Sequence, residues 1–294
     1  VAWHRNIQRN EEGIKMSKTN EVATDNEFNL VPMYAGMDEG LKAEIEDELD
    51  DFGDAGGIDC RRIKMPTGKS KAFEVEGDNP DDPDMEKELR GVVLFTHKMN
   101  ARWEGDYGGE SRMPACSSWD ARQGIDFNTG EAINCDTCKY NEFKGDGSGK
   151  ECKNTRRIYL MLDGRPHLYL LTVPPTSLKS VSRQLKRLIS NGSPLTRTVV
   201  AFRLESATSK GGRDYAKITV EKVGDLTPEQ GGMARQMREE IKKQYKTVAV
   251  DSDDCNVGDG SSAQGATGPQ QGNVPDDGFM DIPDAIEEGE LPFK

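Results

Sequence analysis

The stretch "RIYLMLDGRPHLYLLTVPPTSLKSVSRQLKRLISNG", residues 157–192, decides how the chain folds. It opens with an apolar run, 157–163, rich in side chains that favour strands. Asp163-Gly164 follows, a dipeptide suited to the tight turn of a hairpin. A second apolar run, 167–173, returns as the other arm. Beyond Pro174 the period changes. Leu178, Val181, Leu185 and Leu188 recur at three- and four-residue spacing, which predicts an amphipathic helix. Thr176 or Ser177 is expected to cap it and Gly192 to stop it.

Working outward, "GVVLFTHKM" (91–99) reads as a preceding strand with Val93, Phe95, His97 and Met99 on one side. After the helix, "TRTVVAFRLES" (196–206) and "RDYAKITVEKV" (213–223) read as strands joined across the glycine-rich "ATSKGG". A last helix, within 224–250, opens at Thr227-Pro228. Gln230 stands at the capping-box position, and Met233, Met237, Ile241 and Tyr245 share a face. Upstream, 37–90 is expected to hold an acidic helix with Leu41, Ile45, Leu49 and Phe52 on one side. Two short strands, "CRRIKM" and "KAFEVE", then precede the loop "GDNPDDPD". The "TGKS" between these strands lacks the upstream glycine and following helix of a phosphate loop. Residues 1–36 show no sustained periodicity and are expected to be flexible.

Only 34% of the 294 residues are hydrophobic, so much of the length cannot be packed core. Net charge is −13 but unevenly spread. Residues 251–294 hold eleven Asp/Glu and one Lys, whereas 150–222 hold fifteen Lys/Arg and five Asp/Glu. A basic centre between acidic ends suits a polyanionic ligand. The low-complexity tail, 251–294, lacks the apolar content to offset ordering entropy and is expected to be disordered. No apolar run of membrane-spanning length is present, nor an apolar signal block. A cytoplasmic protein with no membrane partner is the expectation.

Cys116, Cys135, Cys138 and Cys152 are spaced C-x18-C-x2-C-x13-C. The C-x2-C pair lets two thiolates grip one ion from a tight turn, and the outer cysteines complete a tetrahedral set. Disulfides are rare in the cytosol, so a structural Zn²⁺ is favoured over bridges. Free thiols and a redox C-x2-C are the alternatives; His97 or His167 replacing one cysteine is a variant. Glycines 124, 130, 145, 147 and 149 suit the loops of a zinc ribbon over 103–155. Four cysteines would close the site and leave no activated water. Cys60 and Cys255 are isolated. No triad or rigid carboxylate pair calls for an enzyme or a small-molecule substrate.

From 91 to 223 the order is strand, cysteine excursion, strand, strand, helix, strand, strand. This order resembles an OB-fold, whose helix lies between its third and fourth strands. The fold expected is therefore a β-rich α+β protein: an OB-fold barrel with a zinc ribbon between its first and second strands, flanking helices and an acidic tail. The layout is similar to the C-terminal OB domain of the replication protein A large subunit, although the cysteine spacing differs. The tail resembles that of bacterial single-strand binding proteins, with "DIP" (281–283) and "LPF" (291–293) split and Lys294 after the Phe. A compact core with such a tail also resembles phage-encoded replication accessory proteins, which would place it in a bacterial host's cytoplasm. The resemblance implies a non-catalytic single-stranded DNA-binding protein whose tail recruits replication or recombination proteins. A zinc-ribbon adaptor is the alternative.

Single strands are held by cations along the phosphates and by aromatic faces that stack bases. Lys139, Tyr140, Phe143 and Lys144 decorate the cysteine excursion, and Trp103 and Tyr107 precede it. Arg156, Arg157, Tyr159, Arg203, Lys210, Arg213 and Tyr215 lie on or beside the proposed strands. Strand alternation lets only one side of each strand face a ligand. The basic side of the central helix, with Lys179, Arg183, Lys186 and Arg187, reads as a solvated face.

Overall fold

The structure, a computed structural model, describes residues 28–32, 37–51, 59–66, 70–79, 81–105, 113–145, 149–208, 214–248 and 250. Expectations placed on 1–27, Phe52, the centre of "TGKS", Tyr107, Lys210, Arg213, Cys255 and the tail 251–294 lie outside the described residues.

The elements run α1 (Glu39–Asp51), β1 (Arg61–Lys64), β2 (Phe73–Val75), β3 (Asp84–Glu86), β4 (Glu88–Arg102), β5 (Cys116–Ser118), β6 (Gln123–Asp126), β7 (Ala132–Asn134), β8 (Lys153–Leu162), β9 (Leu168–Val173), α2 (Pro175–Ser190), β10 (Thr198–Thr208), β11 (Asp214–Asp225) and α3 (Pro228–Gln244). The described strands join one large mixed sheet. No described helix is long and apolar enough to cross a membrane.

The hairpin read from 157–173 forms the centre, with β8 and β9 paired antiparallel and Gly164 turned at φ 69°. Every residue of β9 is buried, as expected of a strand covered on both faces. β4 serves several neighbours. It pairs with β8 along most of its length, with β10 through Glu88–Val92, and with β5 through Asn100–Arg102.

Two cores lie on opposite faces. On one, Val93, Ile158, Leu160, Leu171 and Phe202 meet Val181 and Leu185 of α2. On the other, Val92, Leu94, Tyr159, Met161 and Leu170 meet Ala234 and Ile241 of α3. Phe28 and Leu30 are buried in this second core, so the end of the segment expected to be flexible packs against the body. α3 opens as read, with the reciprocal Thr227–Gln230 capping box.

A β-bulge corrects the reading of β4. Val93 faces Leu160, but the next pair is Phe95 with Tyr159, so Leu94 is the extra residue. Alternation flips there. Val93 enters the α2 core, whereas Phe95 joins Leu94 on the α3 side. Arg238 of α3 donates to the Leu94 carbonyl at 3.3 Å and lies over the Phe95 ring.

The barrel does not close among the described strands. The pairings β4–β8, β8–β9, β4–β10 and β10–β11 are all made, but β9 and β11 are not partners. The outer edge of β9 is taken by β1, in parallel. The outer edge of β11 is taken by side chains of α2: the Ile218 N–H donates to Ser177 Oγ (2.9 Å) and the Val220 N–H to Gln184 Oε1 (3.0 Å). Ser177 is thus an edge partner rather than a helix cap, and the residue before α2 is Pro174.

Candidate functional site

Between β4 and β8 the chain makes a small antiparallel meander, β5–β6–β7, hung on the end of β4. Two 3₁₀ turns, Cys135–Thr137 and Lys139–Asn141, lead back toward β8. Asn134 caps the first by accepting from the Asp136 N–H. Asn141 ties the turns together, donating through Nδ2 to the Cys135 carbonyl at 2.8 Å. Asp120 accepts from the Arg122 and Gln123 N–H groups and from Ser118, which holds its carboxyl below the usual range.

This folding brings the four sequence-selected cysteines together. Cys116 starts β5, Cys135 opens the first 3₁₀ turn and Cys138 follows it, and Cys152 immediately precedes β8. All four line one pocket with a cavity of about 10 Å³, alongside Arg102 and Tyr140. That volume is about one water-sized sphere. Gly124 permits the approach: a Cβ there would stand 3.1 Å from Cys116 Sγ and 3.2 Å from the Ser117 carbonyl. Burial pushes the Cys152 thiol up to about 12, and the other three sulfurs add to the rise. Cys116 is raised by burial and then by Cys135, Asp126 and Cys138. A pocket in which the Cys116 and Cys152 thiols are held protonated by burial and by neighbouring sulfurs fits a cation, because a bound metal reverses that balance. Among the described residues, no three Cys, His, Asp or Glu side chains stand in a ready-made ligand arrangement. The cysteines form no disulfide among the described residues.

The surface of the excursion carries cations against aromatic rings. The exposed Lys139 lies 4.8 Å from the centre of the half-buried Tyr140 ring, while Arg102, buried beneath that ring at 4.1 Å, pairs with Glu104 and Asp126. Phe143 is 43% exposed, with Lys150 at 4.6 Å. Lys144 pairs with Glu151 at 2.7 Å. Arg102 and Lys150 were not singled out from the sequence. Their signal is positional, since one ends β4 and the other approaches β8.

The strand residues fare differently. Arg157 and Tyr159 are fully buried, which corrects the expectation that they face a ligand. Their side of β8 is covered by the end of α3 and the segment after it. Arg157 donates to the Val248 carbonyl (3.2 Å) and lies 5.3 Å over the Trp119 ring. The Tyr159 hydroxyl donates to the Tyr245 carbonyl (3.4 Å). Arg203 is exposed but held by Glu88 and Glu221, each at 2.6 Å. Arg156, half-buried, donates to Thr96 Oγ1 at 3.3 Å. Trp103 packs beside Met99, Ala101, Trp119 and Val250. Tyr215 is half-buried on β11.

An aromatic cluster that alternation alone did not reveal fills the covered side. His97 lies between Phe95, Trp119, Tyr159 and Tyr245, at ring separations of 4.8–6.0 Å. Its Nδ1 is 3.0 Å from the carbonyls of Lys98 and Trp119, and its Nε2 is buried without a partner among the described residues. Burial pushes His97 down to about 4, and the Arg157 and Arg156 charges act in the same direction.

No protein-family model, curated protein or solved structure matches the chain.

Proposed function

We propose that the protein binds single-stranded DNA, without catalysing a reaction, as an accessory of replication or recombination. In this reading the core is an OB-fold left open at one seam, and the β5–β7 excursion is a ribbon tied by a structural Zn²⁺ on Cys116, Cys135, Cys138 and Cys152. The acidic tail recruits protein partners. The observation that carries the reading is the surface of the excursion, where Lys139 beside Tyr140 and Lys150 beside Phe143 stand over a pocket of four thiols. Phe143 offers the more open ring for a base, and Lys139 and Lys150 lie beside the path of its phosphates. Four of the five strand contacts of an OB barrel support the same reading.

The test is a gel-shift series with single-stranded and duplex DNA across a range of salt, with elemental analysis for zinc. Single strands should bind in preference, and the affinity should fall steeply with salt as counterions are released. Phe143→Ala should weaken binding roughly five- to 150-fold, the range expected for one lost base stack. Equal binding of duplex and single strand, or indifference to salt, would refute the reading.

A specific observation favours the adaptor reading as the alternative. Ile125 and Phe127 stand 52% and 51% exposed on the excursion. An adaptor would lose activity with Ile125→Ser or with deletion of 251–294, and would be unmoved by Phe143→Ala.

A further inference from the structure

α2 differs from the other helices in how it carries charge. It contains Lys179, Arg183, Lys186 and Arg187 and no Asp or Glu. All four cations are exposed, and none has an ion-pair partner among the described residues. In α3, by contrast, Lys242 is held by Glu239 at 3.0 Å and Lys243 by Glu240 at 2.9 Å. In α1, Lys42 is held by Glu39 at 2.7 Å. Paired charges three residues apart are what an ordinary solvated face looks like.

The four cations share one side of α2, opposite Val181 and Leu185. Lys179 and Arg183, Arg183 and Arg187, and Arg183 and Lys186 are like-charge neighbours at helical spacing, which disfavours the helix. Single unpaired cations occur elsewhere among the described residues, Arg235 of α3 and Lys98 of β4 among them, but α2 gathers four on one face of a helix with no acidic residue, in a chain of net charge −13. Such departures from the local pattern concentrate at functional sites. Meanwhile two of the strand cations expected to serve a barrel groove are committed: Arg157 is buried and Arg203 is doubly paired.

We infer that the outward face of α2 is a second binding surface, which takes the sugar–phosphate backbone of single-stranded nucleic acid without reading its bases. The inference rests on the nucleic-acid reading above and adds a site to it. From Lys179 to Arg187 the ladder runs about 12 Å at the helical rise per residue. It presents charge on each turn, matching a ligand that carries charge on every unit. The acidic segment 251–294 is the weaker match, since its Asp/Glu are unevenly spaced, four in the first 25 residues and seven in the last 19. With no aromatic residue in α2, the contact is electrostatic alone.

The experiment compares full-length proteins by the slope of log affinity against log salt for a homopolymeric single-stranded DNA. One variant combines Lys179→Gln, Arg183→Gln, Lys186→Gln and Arg187→Gln. A second keeps the charge with Lys179→Arg, Arg183→Lys, Lys186→Arg and Arg187→Lys. Circular dichroism checks that both keep the fold. Neutralisation should reduce the magnitude of the slope by about 3, at roughly 0.7 per phosphate contact, and the charge-keeping variant should retain it. An unchanged slope in the neutralised protein overturns the α2 surface and leaves the wild-type binding reading standing. Tighter binding by the neutralised protein also overturns it, and would mean that α2 holds the chain's own acidic segment. Failure of the wild type to bind DNA at all defeats both readings together.

Discussion

Single atoms decide much of what the cysteine pocket can do. Gly124 stands where any side chain would press on Cys116 Sγ and on the Ser117 carbonyl. Gly124→Ala should therefore destabilise the fold by about 1–3 kcal/mol, the usual cost of overpacking. Chemical denaturation measures it, and a lower zinc content should accompany it if the pocket holds the metal. His97 sets a pH dependence. Its folded value is pushed to about 4, against an ordinary 6.5. The unfolded chain then takes up a proton that the folded chain refuses. The stability is complete above pH 6.5 and is lost progressively as pH falls toward 4, by about 3 kcal/mol in all. Denaturation across that interval should show the loss, and His97→Gln should flatten it relative to the wild type. The cysteines were legible in the sequence because their spacing survives any choice of strand parity. Tyr159 and Arg157 were not. Residue types show that a strand carries an aromatic and a cation, but not which layer will lie over them.

Among the elements, the hairpin of β8 and β9, the helix α2 and the capping box of α3 could all be read from local pattern. Each depends on contacts a few residues apart. The bulge at Leu94 could not be read, because it is set by the register of β4 on β8, some sixty residues away. The seam between β9 and β11 escaped for a similar reason. Ser177 looks like a cap in sequence, and its oxygen instead accepts from a strand forty-one residues on. Both Ser177 and Ile218 are fully buried, so Ser177→Ala leaves an N–H without a partner or water. The expected loss is about 1–3 kcal/mol. A threonine, which keeps the hydroxyl, should restore part of it. Equal stability of the alanine variant and the wild type in denaturant titration would show that the edge bond contributes nothing.

At the scale of the molecule, two helices cover opposite faces of one sheet, and the cysteine excursion projects from its end. A single face that is both apolar and basic, as a simple groove would need, is absent among the described strands. The aromatic cluster around His97 is roofed by Tyr245 and Val248, whereas the row of four unpaired cations on α2 lies on the other side. The open seam has a further consequence. A closed barrel behaves as a hoop, in which no strand moves without breaking a full ladder on each side. This sheet is a split ring, and β11 is fastened at its gap by two side-chain bonds. The amides of Ile218 and Val220 should accordingly exchange with solvent deuterium earlier than the strand-paired amides of β8. The β10–β11 hairpin would then breathe as a unit while the centre of the sheet stays shut.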